Sequence, residues 1–291
     1  MTNTPEYLLI GHMTADLTPE GRVPGGTVSY AARAAAAFGL QVGLLTSAAR
    51  GEPLLTQLAP YIGQITSLPA DATTTYENLY TEAGRVQYVR GVAAPLTPAD
   101  VPAHFLGAPL VHLAPIAGEL DPQVAHLFKD SLVLLTLQGW LRRWESDGLV
   151  RFKRWHDAGV LKSIDIVVFS EEDILEAPEM EADFAGTVEH LFVTRAEKGG
   201  SYYHHGQRID YETPKVDVIN PTGAGDIFAT SLLASLHHFK GAMPQAIRVA
   251  AQMGATAVTR FGLDGAPTRA EVEAALAQAA QAQRPHDAET R

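Results

Sequence analysis

The stretch VINPTGAGDIFATSLLASLHHF, Val218 to Phe239, opens on a turn, sets two glycines around an alanine, and places Asp226 at the mouth of an apolar helix. Pro221 and Thr222 form the turn, while Gly223 and Gly225 lack the Cβ atoms that would hold an anion away from the backbone. The N–H groups of the helix start then point outward together, with the positive end of the helix dipole behind them. Such a turn suits a phosphate, or the charge that develops on a phosphoryl group in flight. A carboxylate beside it would compete with the phosphate for the same donors, unless its task is to take a proton from an incoming hydroxyl. An acidic residue in a first helical turn also complements the dipole whatever its chemistry, so the stretch alone leaves both readings open.

Outward from this helix, the sequence alternates between short apolar runs and longer segments. Tyr7 to Ile10 reads as a buried strand ended by Gly11, Tyr30 to Phe38 as an alanine-rich helix stopped by Gly39, and VGLLTSAA as another strand. The later runs PLVHLAPI, SLVLLTLQ, IDIVVFS and HLFVTR are separated by helix-length segments, the alternation that gives a parallel sheet covered by helices. Between them TTTYENLYTEAGRVQYVRGV, rich in Thr, Tyr and Val, predicts antiparallel hairpins and so a small β appendage over about residues 71–92. GGSYYHHGQRIDYET predicts a second hairpin. The C-terminal part is helical: AIRVAAQMGATAVTRFG breaks at Gly262, and TRAEVEAALAQAAQAQ opens on a capping box from Thr268 to Glu271. Residues 284–291 are polar and uncapped, and a frayed tail is expected there. The whole predicts a single α/β domain over residues 1–291, three layers with a mostly parallel central sheet between helices and a small β lid.

Composition narrows the partners. With 46% hydrophobic and 19% charged residues the chain is globular rather than disordered or collagen-like. A formal net charge of −11 argues against nucleic acid and anionic membranes, which leaves small molecules as the expected partners. The absence of cysteine excludes a disulfide framework and a thiolate metal site, and fits a reducing compartment. No basic leader and no apolar stretch of spanning length is found, so a cytoplasmic location is expected. Among eleven histidines, the pairs His204-His205 and His237-His238 invite a metal reading. Adjacent residues face opposite sides of a strand and diverge on a helix, so neither pair readily shares one ion. There is no G-x-S-x-G elbow and no G-x-G-x-x-G fingerprint, which sets hydrolase and dehydrogenase readings aside.

NPTGAGDIF resembles the C-terminal D-T-x-G-A-G-D motif of the ribokinase-like (phosphofructokinase B) sugar kinases. Order and spacing agree over nearly the whole chain. GHMTAD resembles the family's first strand and substrate-binding aspartate, and PGGTVSYAARAAAAFG its di-glycine motif with the helix that follows. FSEED falls at its N-x-x-E motif, VTRAEKGG at its T-x-G-x-x-G motif, and GATAVTRFGLDGAPTRAEV at its C-terminal nucleotide-side segment. Two separated glycine motifs with this filling are far more specific than either alone. The resemblance implies that Asp226 is the catalytic base, that Gly223, Ala224 and Gly225 form the anion hole for the γ-phosphoryl of ATP, and that Thr194, Thr222 and Gly225 lie on the nucleotide. It implies that Asp16, Gly25 and Gly26 face the acceptor, that Mg²⁺ bridges the nucleotide phosphates with Asp173 holding it through water, and that the β lid excludes water. Edges of such a lid offer a surface on which two subunits can pair as a homodimer.

Departures from the family pattern matter as much. Asn220 stands where many members have an aspartate that helps bind a monovalent cation, which puts that requirement in doubt. Ser170 and Asp173 replace the Asn and Glu of N-x-x-E, and Ala196 replaces the middle glycine of T-x-G. Tyr30 occupies the position of a sugar-contacting asparagine, and with TLQGWLRRW it is similar to the branch containing plant myo-inositol kinases. Gln138 and Arg142 form that branch's Gln-x-x-x-Arg pair; Arg142 follows a predicted strand and can hold a phosphate or a polyol. Glu119 in APIAGEL is a further candidate acceptor contact. The expectation is ATP-dependent phosphorylation of a sugar or cyclitol hydroxyl, with a nucleoside kinase or a non-catalytic ligand-binding protein on the same fold as alternatives.

Overall fold

The computed structural model describes residues 3–81 and 84–282; the tail expected at 284–291 lies outside the described residues. Strands β1 (Tyr7–Ile10), β2 (Thr14–Thr18) and β3 (Gly21–Gly25) lead into helix α1 (Thr27–Ala37). Strands β4 (Val42–Ala49) and β5 (Gln64–Ala70) follow, then β6 (Thr75–Thr81), β7 (Gly84–Gly91), β8 (Leu110–Leu113), β9 (Leu132–Thr136), and the short pair β10 (Arg142–Trp144) and β11 (Val150–Phe152). Helix α2 (Ala158–Leu161), β12 (Ile166–Ser170), α3 (Met180–Ala185), β13 (His190–Thr194), β14 (Gly200–His204) and β15 (Gln207–Tyr211) complete the sheet region. Three helices close the fold: α4 (Ala224–His238), α5 (Met243–Ala257) and α6 (Arg269–Gln281).

The main sheet has nine strands in the order β15-β14-β13-β12-β9-β8-β1-β4-β5. All neighbours from β13 to β5 run parallel, and β14 and β15 form an antiparallel edge. Central strands such as YLLI and LVHL are buried at every residue, the continuous apolar run required when both faces of a sheet are covered. Leu9, Leu44, Leu134 and Phe192 pack on one face against Leu232 and Leu233 of α4 and Ala250 of α5. On the other face Leu8, Val111, Val133 and Val167 meet Phe128, Val160 and Phe184. Here the connections are shorter than the expected helices: a 3₁₀ segment over Pro122–Leu127, four residues of α2 and six of α3. Asp121 caps and Pro122 opens that 3₁₀ segment, whose poorer i→i+3 bonding stops it early. No helix among the described residues is long and apolar enough to cross a membrane.

A second sheet of four strands has the order β3-β2-β6-β7. It contains the hairpin expected near residues 71–92 and adds β2 and β3, because Ala15 to Leu17 pair in parallel with Thr75 to Glu77. This pairing carries Asp16 out of the main sheet and onto the small one. The Tyr76 hydroxyl donates to the Ile116 carbonyl at 2.7 Å, tying the small sheet to the loop after β8.

Candidate active site

Thr136, Ser170 and Thr194, at the C-terminal ends of β9, β12 and β13, line a cavity of about 400 Å³ at the edge where open α/β sheets bind ligands. Helix α4 aims its N-terminus at this cavity. Gly223 caps it in the left-handed conformation with φ 86°, and a Cβ there would stand 2.3 Å from the Tyr30 ring. Conformation and space therefore both demand glycine. Asn220 Oδ1 accepts from the Thr222 N–H at 2.8 Å, an Asx turn that steers the chain into the helix. A Cβ on Gly225 would meet nothing within 4 Å, so the first turn opens directly onto the cavity. Its first N–H groups have no acceptor within the helix, an arrangement suited to an anion.

Asp226 sits on the same turn, half-buried in the cavity wall. Its carboxyl is pushed up to about 6, first by loss of solvent and further by the nearby Asp173, against the opposing pull of a Thr27 hydrogen bond and of Arg142. A carboxyl held there is ionised near neutrality yet basic enough to accept a proton.

The opposite wall is built by the small sheet. Thr14 Oγ1 donates to Asp16 Oδ1 at 2.9 Å, and Asp16 lines the cavity. A Cβ on Gly25 would lie 2.3 Å from the Asp16 carboxylate, so this glycine makes room for Asp16 and lies outside the cavity lining; Gly26 lies within it. Arg142 reaches in from β10, its guanidinium 5.9 Å from the centre of the Tyr76 ring. Asn78 and Gln87, opposed across β6 and β7, complete this wall, with Gln87 Nε2 donating to Asn78 Oδ1 at 2.9 Å. Sequence reasoning passed over these two amides. The available signal was the period of two that sets Asn78 on the face of Tyr76.

One more expected acceptor contact, like Gly25, falls outside the cavity lining. Glu119 is buried and absent from the cavity lining; its carboxylate accepts from the N–H groups of His12, Ile116 and Ala117 at 2.7–3.1 Å. It clamps the turn after β8 to the end of β1. Tyr30 lines the cavity, with its ring packed in the space beside Gly223. Asp173 also lines the cavity, where Oδ1 accepts from Gln138 Nε2 and Oδ2 from the Ser170 N–H, both at 2.9 Å. Thr194 and Thr222 lie on the same side, with a run of apolar residues at Val216, Val218, Ala255 and Val258. Among the described lining residues Arg142 is the one cation, facing Asp16, Glu172, Asp173, Glu197 and Asp226.

Residues 158–269 match the model of the pfkB family carbohydrate kinases. A cytidine kinase of Thermococcus kodakarensis is 26% identical over 253 residues, covering 79% of this chain and 87% of that protein. Among solved structures, a pyrophosphate-dependent kinase in the ribokinase family, complexed with a pyrophosphate analog and myo-inositol, superposes with a TM-score of 0.78 at 19% identity, over 92% of this chain and 99% of that one. An Arabidopsis thaliana ribokinase complexed with ribose and ATP gives a TM-score of 0.71 at 18% identity, over 94% and 99%. The matched span holds the glycine turn and Asp226, and the superpositions show that the chain has the ribokinase fold.

Proposed function

We propose that this chain is an ATP-dependent kinase that phosphorylates a hydroxyl of a cyclitol or sugar, with Asp226 as the base. The observation that carries the reading is the position of Asp226: its carboxyl, raised to about 6, stands on the open first turn of α4 in the same cavity as Asp16. An acceptor held by Asp16, Asn78, Gln87 and Arg142 presents one hydroxyl to Asp226, which takes its proton as the oxygen bonds to the γ-phosphorus and the bond to ADP breaks. The N–H groups of Gly223, Ala224 and Gly225 stabilise the charge on the phosphoryl oxygens. Arg142 adds a positive charge to an otherwise acidic cavity. The small sheet, tied down through Tyr76, keeps water off the transferring group.

The donor set fits a hard divalent cation. Glu172 and Asp173 offer carboxylate oxygens beside the nucleotide side, and the two protein hydrogen bonds on Asp173 leave capacity for water. Mg²⁺ held there through water would neutralise charge on the nucleotide phosphates. The apolar run from Val216 to Val258 and the scarcity of cations favour a donor with a nucleobase over bare pyrophosphate.

A nucleoside acceptor is the second reading, favoured by the similarity to a cytidine kinase. The density of carboxylate, amide and guanidinium groups on the acceptor wall favours a polyol. Release of ADP from ATP, or of orthophosphate from pyrophosphate, measured against a panel of cyclitols, sugars and nucleosides decides between them. The kinase reading predicts turnover with a hydroxyl acceptor and ATP. Silence of every acceptor, while a sugar or nucleotide still raises the melting temperature, would leave a binding protein instead.

A further inference from the structure

At the far end of β13 from Thr194, a cluster of imidazoles surrounds one carboxylate. His190 and His204 are directly opposed across β13 and β14, and their rings stack 4.9 Å apart at 11°. Glu189 Oε1 lies 3.5 Å from His190 Nε2 and 3.9 Å from the Nε2 atoms of both His204 and His205. One potential ligand atom from each of Glu189, His190 and His204 falls within 4.8 Å of the others. A tetrahedral shell with bonds of about 2.0–2.1 Å sets its donors about 3.3 Å apart, so modest rotations of the side chains close it.

Sequence spacing directs attention to His204-His205 and dismisses the pair, because strand neighbours face apart. The fold changes the partners. His190 meets His204 across the ladder, and His205 escapes the alternation because it occupies the hairpin turn at φ 47°, with its ring 4.4 Å from that of His204. The turn is pinned in place by the His205 N–H, which donates to the Glu189 carbonyl at 3.1 Å. His190 Nδ1 lies 2.9 Å from the Tyr202 hydroxyl. That oxygen can accept from an Nδ1–H and so leave Nε2 for an ion, the outer-shell arrangement common to metal-binding histidines. Glu189 and His205 also border a second cavity of about 390 Å³, with Lys162 and Asp165 on its wall, which gives solvent a route to the cluster.

We infer that Glu189, His190 and His204, with His205 as a fourth donor, form a binding site for a borderline divalent transition metal such as Zn²⁺, Ni²⁺ or Co²⁺, separate from the phosphotransfer site. Imidazole nitrogen with a single carboxylate selects such ions over Mg²⁺ and Ca²⁺, which prefer all-oxygen shells. An ion there would join the start of β13 to the β14–β15 turn and stabilise the folded state by mass action.

Zn²⁺ titration calorimetry and Co²⁺ absorption on the untagged full chain test this, each in excess Mg²⁺. One site per chain is expected, with visible bands of low-symmetry Co²⁺ and a rise in melting temperature on adding Zn²⁺. His204→Gln and Glu189→Gln, both at half-exposed side chains that the fold tolerates, should each weaken binding by about tenfold or more and abolish the rise. Melting temperatures in EDTA should match the parent. Parental affinity in the His190→Gln/His204→Gln double variant, or displacement of Zn²⁺ by Mg²⁺, would overturn the assignment. Loss of the same site in Asp173→Asn would also overturn it, by moving the ion to the phosphotransfer cavity.

Discussion

Asp226 at the head of α4 and Glu119 in the turn after β8 are both acidic residues beside the C-terminal edge of the main sheet, yet their surroundings differ sharply. Glu119 Oε1 accepts from His12 and Ile116, and Oε2 from Ile116 and Ala117, which occupies all the lone-pair directions a carboxylate has. Asp226 accepts a side-chain hydrogen bond from Thr27 and lines the cavity, with its proton affinity raised by loss of solvent. A carboxylate saturated by backbone N–H groups has no capacity left for a ligand. One kept partly desolvated and under-bonded is poised to exchange a proton.

The largest expected effect breaks the comparison on the catalytic side. Asp226→Asn keeps the shape of the turn but removes the proton acceptor, so turnover should fall by about 10²–10⁴-fold with nucleotide affinity little changed. Steady-state kinetics together with nucleotide titration check this. Turnover within a factor of two of the parent would remove Asp226 from the base role.

Next comes the structural side. Glu119→Ala strands three N–H groups in a buried turn, and at about 1–3 kcal/mol for each unsatisfied group the loss of stability should reach about 3 kcal/mol or more. Denaturant unfolding measures it. The comparison requires that whatever remains folded keeps its kcat, because Glu119 does not line the cavity.

The pH dependence sharpens the contrast further. As pH falls through about 6, Asp226 takes up a proton and kcat/KM should drop about tenfold per unit, a limb that Asp226→Asn lacks. Stability runs the other way. The folded value lies above the ordinary carboxylate value of 3.8, so the native state is unpenalised below that and loses stability as pH rises through about 6. Asp226→Asn should therefore be more stable than its parent at about pH 8 and no more stable at about pH 4.

How much of this was legible follows from how far apart in sequence the interacting parts lie. The glycine turn, Asp226 and the helix behind them are contiguous, so the turn and the helix start could be read from Val218 to Phe239 directly, while that stretch alone left the task of Asp226 open. The Thr268 capping box is equally local and forms as expected. The cavity wall built by the small sheet was only half legible, since Asp16 and Asn78 come together through a parallel pairing of strands about sixty residues apart, and Gln87 joins them across the β6–β7 ladder. Glu119 misled for the same reason: one of its donors, His12, is 107 residues away. The His190–His204 pairing likewise exists only once β13 and β14 are in register.

The smallest expected effect concerns Asn220, where the family pattern has aspartate. Its Oδ1 accepts from the Thr222 N–H and thereby sets the entry to the turn that Gly223 completes. Asn220→Ala removes one partly buried hydrogen bond, about 1 kcal/mol of stability, and frees the turn to move by the few tenths of an ångström that phosphoryl positioning notices. Asn220→Asp keeps the Asx turn and adds a negative charge beside the anion site. If Asn220 serves as a turn former, the alanine variant loses turnover and the aspartate variant keeps the fold, with K⁺ changing the rate of neither. A rate restored in Asn220→Asp only when K⁺ is added would show instead that the charge missing from this position is what a cation needs.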